Sequence, residues 1–591
     1  MRHDPRLANE KGIALFTVLL VTLALSALII GGALVTTNST MIRRYSERMT
    51  ALENAALSGL DEGRSQLNGT ALLYPDSGFV TLESGAAVLD AAGNVIPGLS
   101  RTTYAGPSGA SSGQFGVFGS VISTVSDNAN ILMVRRMEIN QESFAKFAYF
   151  TDNENAGICF GGTDQIFGPV HSNDDICIWS GSTVRFRDEV RTAGQVIGAA
   201  NATFDKGYLE NVPNIPLPTV AAMNKLQTQA GLGGTSFAGF TTGATGTART
   251  RIEFVAIDLN ADGDVTDDNE GFFRIYQGAS GEEDFVTAAR PGTITTTINC
   301  GDTQGIHAPD FLATANHPGS VPGSAPAGTH AKQASLNDAT ARCYLGGDPV
   351  LTNGFVPSTS KGAWLLWGGA IDPSLAALRP LEAPYLHPLS RGLNPNFKGV
   401  IFVNGRVALS GTVRGRVTIA SPNDIVIADN LRQASDPAVV GVCDDIVGLF
   451  SMSDIVVADN LLNTPVNVAG SAYKTMRTTG NQDEFIHAVV LALGQFTVQD
   501  YATGPKKEEK CETTNWGRGC LRLTGGIIQS VRGAVGTSAG TGNLKRYSYN
   551  TCALTDPPPY FPTTGHFSRN RFYSMDPVGF NVTNWFTLYQ Q

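Results

Sequence analysis

The stretch densest in chemistry-bearing side chains is Asp258-Leu259-Asn260-Ala261-Asp262-Gly263-Asp264-Val265-Thr266-Asp267-Asp268-Asn269-Glu270. Oxygen-bearing side chains stand at its first, third and fifth positions, glycine at the sixth and an apolar residue at the eighth. That spacing suits a hard cation, because the oxygens wrap the ion while the glycine permits the sharp turn. The register then slips: Asn269 occupies the twelfth place, where a bidentate carboxylate would close the loop, and Glu270 the thirteenth. The expected ligands are Asp258, Asn260, Asp262, the Asp264 carbonyl and Glu270, with Ca²⁺ as the cofactor. The flanks RIEFVAI and GFFRIYQ read as strands, so the loop belongs to a hairpin within Arg249 to Ser280 and not to a helix-loop-helix sensor.

Other chemistry is thinly supplied. Asp424, Asp429, Asp454 and Asp459 stand where they would share a face of stacked turns, and carboxylates in a groove are what a polysaccharide-acting enzyme needs. Their simpler role is to bond turn backbones. The histidines beyond the first few residues (His171, His307, His317, His330, His387, His487, His566) form no HExxH or short ligand pair, and neither a nucleophile elbow nor a P-loop occurs. No catalytic residue is assigned, and the chain is read as a non-enzyme. A surface-anchored, polysaccharide-acting β-helix enzyme is the alternative. The aromatic groups Trp364-Leu365-Leu366-Trp367 and Trp585-Phe586 read as core.

None of the eight cysteines forms a CxxC pair, which argues against a zinc ribbon or a thioredoxin motif. An even number beyond an apolar N-terminal segment suggests disulfides in an oxidising compartment. Proximity favours Cys159 with Cys177, Cys300 with Cys343, and Cys511 with Cys520. The net charge of −10 argues against a nucleic-acid face, which needs a basic surface.

Elements must position these groups. With 591 residues, 42% of them apolar, the chain can build several cores. Strands are expected at Phe115 to Ser123, Ile131 to Ile139 and Phe144 to Phe150, where β-branched and aromatic residues lie between turn formers. From 151 to 212 short apolar pieces alternate with Gly, Asn and Asp, which suits the stacked short strands of a parallel β-solenoid. Pro213, Pro216 and Pro218 break that pattern. A short helix is expected over Thr219 to Ala230, then loop-rich chain, with Cys300 and Cys343 closing an excursion. The solenoid pattern returns at Phe397, and DIVIADNL at Asp424 to Leu431 recurs as DIVVADNL at Asp454 to Leu461, 30 residues on (454 minus 424). Such a repeat follows when each turn buries its apolar residues against the next. Asn430 and Asn460 are expected at the bends, where Asn accepts left-handed angles.

The N-terminus carries the longest apolar run, Ile13 to Thr37, with no charge between Lys11 and Arg43. About 20 apolar residues in a helix cross a bilayer's hydrocarbon core. A cleaved signal peptide would have a shorter core, ending at small residues. Here Met41, Tyr45, Met49, Leu52, Ala56 and Leu60 continue at helical spacing, so the membrane helix runs on into an amphipathic one.

A basic leader ending in Lys11-Gly12, followed by Ile13-Ala14-Leu15 and later by Met41-Ile42-Arg43-Arg44, resembles the class III signal of type IV pilins and pseudopilins, most closely that of PilX-type minor pilins. The resemblance implies cleavage between Gly12 and Ile13 by a prepilin peptidase. It also implies partnership with other pilin or pseudopilin subunits and an inner-membrane assembly platform. Thr17 stands at the fifth mature position, where major pilins carry Glu, which argues against a bulk fibre subunit. GPVHSN (Gly168 to Asn173), DIVIADNL, GGIIQSVRGAVGT (Gly525 to Thr537) and PPPYFPTTGHF (Pro557 to Phe567) resemble the β-helix-like region of large exported proteins with such an N-terminus.

The expected fold is mainly β: a long pilin-like N-terminal helix, a β-sheet domain, and a parallel β-solenoid with a loop-rich insertion. The expected divisions are a leader at 1–12, the helix at 13–69, the sheet domain at 70–150, the first solenoid part at 151–212, the insertion with the acidic hairpin at 213–396, and the solenoid with its tail at 397–591. The implied function is a minor subunit of a type IV pilus or related secretion filament. It would act in assembly or tip presentation and in adhesion, resident in the inner membrane and then at the cell surface.

Overall fold

The computed structural model describes residues 10–69, 73–75, 77–90, 92–108, 117–127, 130–155, 157–239, 250–278, 297–298, 334–335, 362–380, 382–437, 443–458, 483–499, 501–502 and 509–588. The chain divides into two compact units, the first formed by Met1–Ala110, Phe118–Asn140 and His566–Gln591, the second by Ser111–Val117 and Gln141–Gly565.

In the first unit, helix α1 (Glu10–Gly69) runs 60 residues, about 90 Å at 1.5 Å per residue. Its two halves differ in what surrounds them. From Ile13 to Tyr45 every apolar side chain is exposed. From Leu52 onward one stripe is buried: Leu52, Ala55 and Ala56 pack on Val88, Val125 and Met133, while Leu60 and Leu67 pack on Val121, Met137 and Phe567. Met41 and Tyr45 share the sequence stripe but remain exposed, so docking begins at Met49.

The sheet beneath has the order Val80–Leu89, Val95–Pro107, Val117–Asp127, Asn130–Ser143, Thr563–Met575. Its fifth strand corrects the sequence division: residues from His566 onward belong to this unit and not to the solenoid. Phe586, on the short helix Val582–Leu588, packs with Ile122 and Val134 as part of a second apolar cluster.

A second correction concerns Phe144 to Phe150, which is not one strand. Ser143 Oγ accepts the Ala145 N–H at 3.1 Å and caps a 3₁₀ turn over Phe144–Lys146, and the strand starts only at Tyr149. Aromatic residues there serve burial, with Phe144 and Phe150 fully enclosed, so propensity yields to packing.

The second unit is a parallel β-solenoid, wound in an order the chain does not follow. One ladder joins ten strands: Ser236–Ala238, Val400–Asn404, Arg416–Ser421, Ile446–Ser451, Val489–Ala492, the second half of Cys520–Val531, Tyr149–Asn153, Val170–Ser172, Val190–Thr192 and Tyr208–Leu209. The N-terminal turns therefore stack on the last C-terminal turn, with Ile527 beside Tyr149. The chain then travels back along the stack to start the other end at Ser236. Ten strands at about 4.8 Å spacing require roughly 43 Å of travel, which the extended prolines and helix α2 (Val220–Leu232) cover at about 3.3 and 1.5 Å per residue. Thr219 caps α2, and Met223, Leu226 and Ala230 pack on Phe402, Phe450 and Leu491 as the helix crosses them.

A second ladder stacks Thr250–Ala256, Val407–Val413, Ile425–Gln433, Ile455–Val457 and Phe496–Val498. The first apolar residues of the repeated octapeptides lie directly on one another, Ile425 on Ile455, Val426 on Val456 and Ile427 on Val457. A third ladder joins Leu431, Glu484–Ile486, the first half of Cys520–Val531 and Leu544–Tyr549. The long strand Cys520–Val531 thus turns a corner, at Gly525. A Cβ on Gly525 would stand 1.8 Å from the Ala488 carbonyl oxygen, so the neighbouring turn forbids any side chain there.

At the Thr250 end, Gly271–Gly278 runs antiparallel to Thr250–Ala256 and covers the edge that stacking would leave open.

Asn430 stands at a bend, where the strand Ile425–Gln433 leaves the second ladder after Ile427 and joins the third at Leu431 with a shift of register. A third correction concerns its backbone, which is not left-handed: the side chain serves the bend by accepting the Phe485 N–H of the next turn at Oδ1, at 2.8 Å. Asn460 lies outside the described residues. Other bends rest on Ser and Thr: Ser172, Thr192, Ser421 and Ser451 each accept the N–H two residues on, at 2.9 to 3.1 Å.

Candidate functional site

Gly12 and Ile13 lie within α1, one turn into the helix, and the Ile13 side chain is exposed. The hydroxyls in the apolar half turn back on the helix: Thr17 Oγ1 donates to the Ile13 carbonyl at 2.9 Å, Ser26 to Thr22 at 2.7 Å and Thr37 to Ala33 at 2.8 Å. Each hydroxyl is thereby satisfied without water, as an apolar phase demands. Among the described residues α1 is the one helix long and apolar enough to cross a membrane.

The acidic loop closes the hairpin at the Thr250 end. Asp258 Oδ1 and Oδ2 accept the N–H groups of Ala261 (2.6 Å) and Gly263 (2.9 Å), and Gly263 has a φ of +97°. Asp262 Oδ1 accepts the Asp264 N–H at 3.1 Å. Thr266, through its hydroxyl and its N–H, lowers the Asp264 pKa. Asn260 Nδ2 stands 2.9 Å from both Asp262 Oδ2 and Asp267 Oδ2.

Glu270 is set apart. It is 1% exposed, and its two oxygens accept the Leu259 and Asp267 N–H groups, clamping the ends of the loop together. Arg414, itself held by buried Asp445, fastens the loop to the stack through the Asp267 carbonyl and Asp268. The five expected ligand residues thus share one loop, and a side-chain oxygen of each accepts a backbone N–H. Among the described residues no three His, Cys, Asp or Glu side chains converge.

Disulfides join Cys159 to Cys177, Cys511 to Cys520 and Cys443 to Cys552. The last spans 109 residues and has no proximity signal in the sequence. Cys300 and Cys343 lie outside the described residues.

Asp424 Oδ1 accepts the Asp454 N–H at 3.2 Å, and Asp454 Oδ1 accepts the Gln495 N–H at 2.8 Å, so both bond the backbone of the following turn. The Asp429 side chain and all of Asp459 lie outside the described set. His387 and His487 have pKa values lowered to about 4, chiefly by burial, and His171 is lowered for the same reason.

A buried polar cluster that the residues alone did not reveal lies at the seam where the two solenoid parts meet. Arg532 Nη1 donates to Glu154 Oε2 at 2.8 Å, with side chains 3% and 4% exposed. Thr151 Oγ1 and Tyr149 Oη also donate to Glu154, and the guanidinium stands 4.0 Å over the Phe160 ring. The Arg532 N–H bonds the Asn153 carbonyl, so this residue stitches the seam with backbone and side chain together. An arginine as the one charged residue of GGIIQSVRGAVGT was the available signal.

No protein-family model matches the chain, and no curated protein matches it. Among solved structures it is similar to the competence-associated pilin ComZ from Thermus thermophilus, at 12% identity and a TM-score of 0.27, over 89% of this chain and 97% of that one. At that score the likeness carries no weight for fold or function.

Proposed function

We propose that this chain is a non-catalytic minor subunit of a type IV pilus or related secretion filament, acting in assembly, tip presentation and adhesion. One observation carries the reading: a single continuous helix is apolar from Ile13 to Thr37, bare as far as Tyr45 and docked on its own sheet from Leu52. The bare half fits a bilayer first and neighbouring pilin or pseudopilin helices afterwards, while the docked half fixes it to the folded body. Lys11-Gly12 before Ile13 supplies the place for a prepilin peptidase to cut, and an inner-membrane assembly platform would take the helix into the filament. A body of this size suits a tip, where it need not pack among neighbours on every side. Thr17, whose hydroxyl is spent on the helix itself, suits a subunit other than the bulk one. The N-terminal residue of the mature protein tests the reading, with Ile13 expected.

Calcium at the acidic loop belongs to the same reading as a stabiliser of an exported body. Support comes from Asn260 Nδ2, which places a partial positive charge between the Asp262 and Asp267 carboxylates, where a cation would serve better. Rotating that amide turns its oxygen inward, so that Asn260, Asp262 and Asp267 face the ion while Glu270 remains the clamp. Titration calorimetry of the full chain with Ca²⁺ is expected to show one binding heat that Asp262→Ala removes. Absence of heat, or heat unchanged in the variant, contradicts it.

A further inference from the structure

The seam is zipped on one side and open on another. Along the first ladder the strands pass from Ile527 to Tyr149 without interruption. On the third ladder the C-terminal stack stops at Leu544–Tyr549, and the N-terminal stack begins a separate sheet at Gln165–Ile166. A cavity of about 1420 Å³ lies against this gap. Its walls carry five cationic side chains, Arg432, Arg522, Arg532, Lys545 and Arg546. Facing them are three carboxylates, Asp164, Asp436 and Glu512, so the cavity has an excess of positive charge in a chain whose net charge is −10.

Three of the cations are already matched: Arg532 with Glu154, Arg522 with Asp483 at 2.6 Å, and Arg546 with Glu512 at 2.9 Å. Lys545 and Arg432 make no ion pair among the described residues. Lys545 occupies a register position beside core Leu521, two residues from Tyr547, which packs on the core. Loss of water and the nearby Arg532 charge lower its pKa to about 8, against the smaller opposing pull of the Asp164 and Glu154 carboxylates. A cation held this way gains most from an anion that enters the cavity. Arg432 lies 3.9 Å over the Phe485 ring, with Arg522 5.9 Å from the same ring, so flat apolar surface and positive charge are presented together.

We propose that the seam cavity binds a carboxylate-bearing oligosaccharide, its sugar faces on the aromatic walls and its carboxylates on Lys545 and Arg432. Sugar rings offer C–H faces to Trp516, and their hydroxyls suit the Thr514 hydroxyl and the amide oxygens of Gln433 and Asn543, whose amino groups bond the His487 and Arg518 carbonyls. Two cations without an ion pair match two carboxylates of a short enclosed segment of such a glycan, and the sugar faces supply the rest of the contact. A nucleic acid, with a phosphate at every step, would need a continuous basic surface. The site rests on the geometry of the seam and does not depend on filament membership.

The test is calorimetry on the full-length protein in detergent at pH 7, with galacturonate, mannuronate and glucuronate tetrasaccharides. The methyl ester of the galacturonate tetramer and a single-stranded DNA 12-mer serve as contrasts. At least one uronate is expected to bind, with the ester and the DNA at least about 10-fold weaker. Lys545→Met and Arg432→Gln are each expected to weaken binding by about 10-fold or more at unchanged melting temperature. Arg432 is exposed, so its variant keeps the test decisive if Lys545→Met does not fold. The inference is overturned if no uronate binds, if the ester or the DNA binds as well, or if the folded variants bind like the parent.

Discussion

Arg532→Met is expected to open the seam of the solenoid, raising hydrogen exchange at the Phe150, His171 and Ile528 amides by about 10²- to 10³-fold while amides near Ile419 change little. Removing one partner of a buried ion pair costs about 3–5 kcal/mol, because the other charge is left in a medium that cannot solvate it. Here the abandoned group is Glu154, 4% exposed at the side chain, with only Tyr149 and Thr151 hydroxyls remaining as partners. The cost falls on the one junction where segments almost 380 residues apart must meet. Solenoid stability is carried between neighbouring turns, so the damage stays close to the junction. Replacing both partners, with Arg532→Met and Glu154→Leu, should recover most of the loss, since the apolar pair leaves no orphaned charge. A single variant that exchanges like the parent would show that the seam is held by its ladder alone.

The second large effect separates the two halves of α1. Leu25→Arg together with Ile29→Arg places two charges in the middle of the apolar run, at about 2.5–3.5 kcal/mol each for insertion into a bilayer. Both side chains are exposed in the folded chain, so the sheet has no reason to notice them. The double variant is expected to be released from membranes by alkaline carbonate while its sheet unit melts normally. Leu60→Arg should do the reverse: the protein stays in the membrane, but a charge is driven into the cluster of Leu67, Val121 and Phe567 and the sheet unit unfolds. Carbonate resistance of the double variant would contradict the membrane role of the bare half.

What was legible in the residues follows from how far apart partners lie along the chain. The octapeptide repeat announced a stack because each copy meets the next turn's copy, and Ile425 does lie on Ile455. The hairpin around the acidic loop and helix α2 were readable for the same reason, being local. Segments that close over long distances carried no such mark. Nothing in Thr563 to Met575 points to a sheet begun at Val80, and nothing in Tyr149 to Asn153 says that its neighbour is Ile527.

Local preference also misled where burial outweighed it. Phe144 to Phe150 is rich in strand formers yet begins with a 3₁₀ turn, because Ser143 caps it and Phe144 and Phe150 must both be enclosed. Residue type places Asn430 at a bend, and it lies at one, but its part there is a side-chain bond to the next turn and not a left-handed backbone, while other bends belong to Ser and Thr hydroxyls. For the acidic loop, spacing placed five oxygen-bearing residues together but not the division of labour among them, since the burial of Glu270 is a tertiary fact.

The central claim, that α1 is a filament-forming helix released from a leader, is tested most directly by the N-terminal residue of the protein isolated from the membranes of its own cells. Terminal sequencing, with intact mass as a second reading, should give Ile13 as the first residue. A chain beginning at Met1, or near Thr36 to Ser39, would contradict the claim and leave a plain anchor or an ordinary signal peptide in its place.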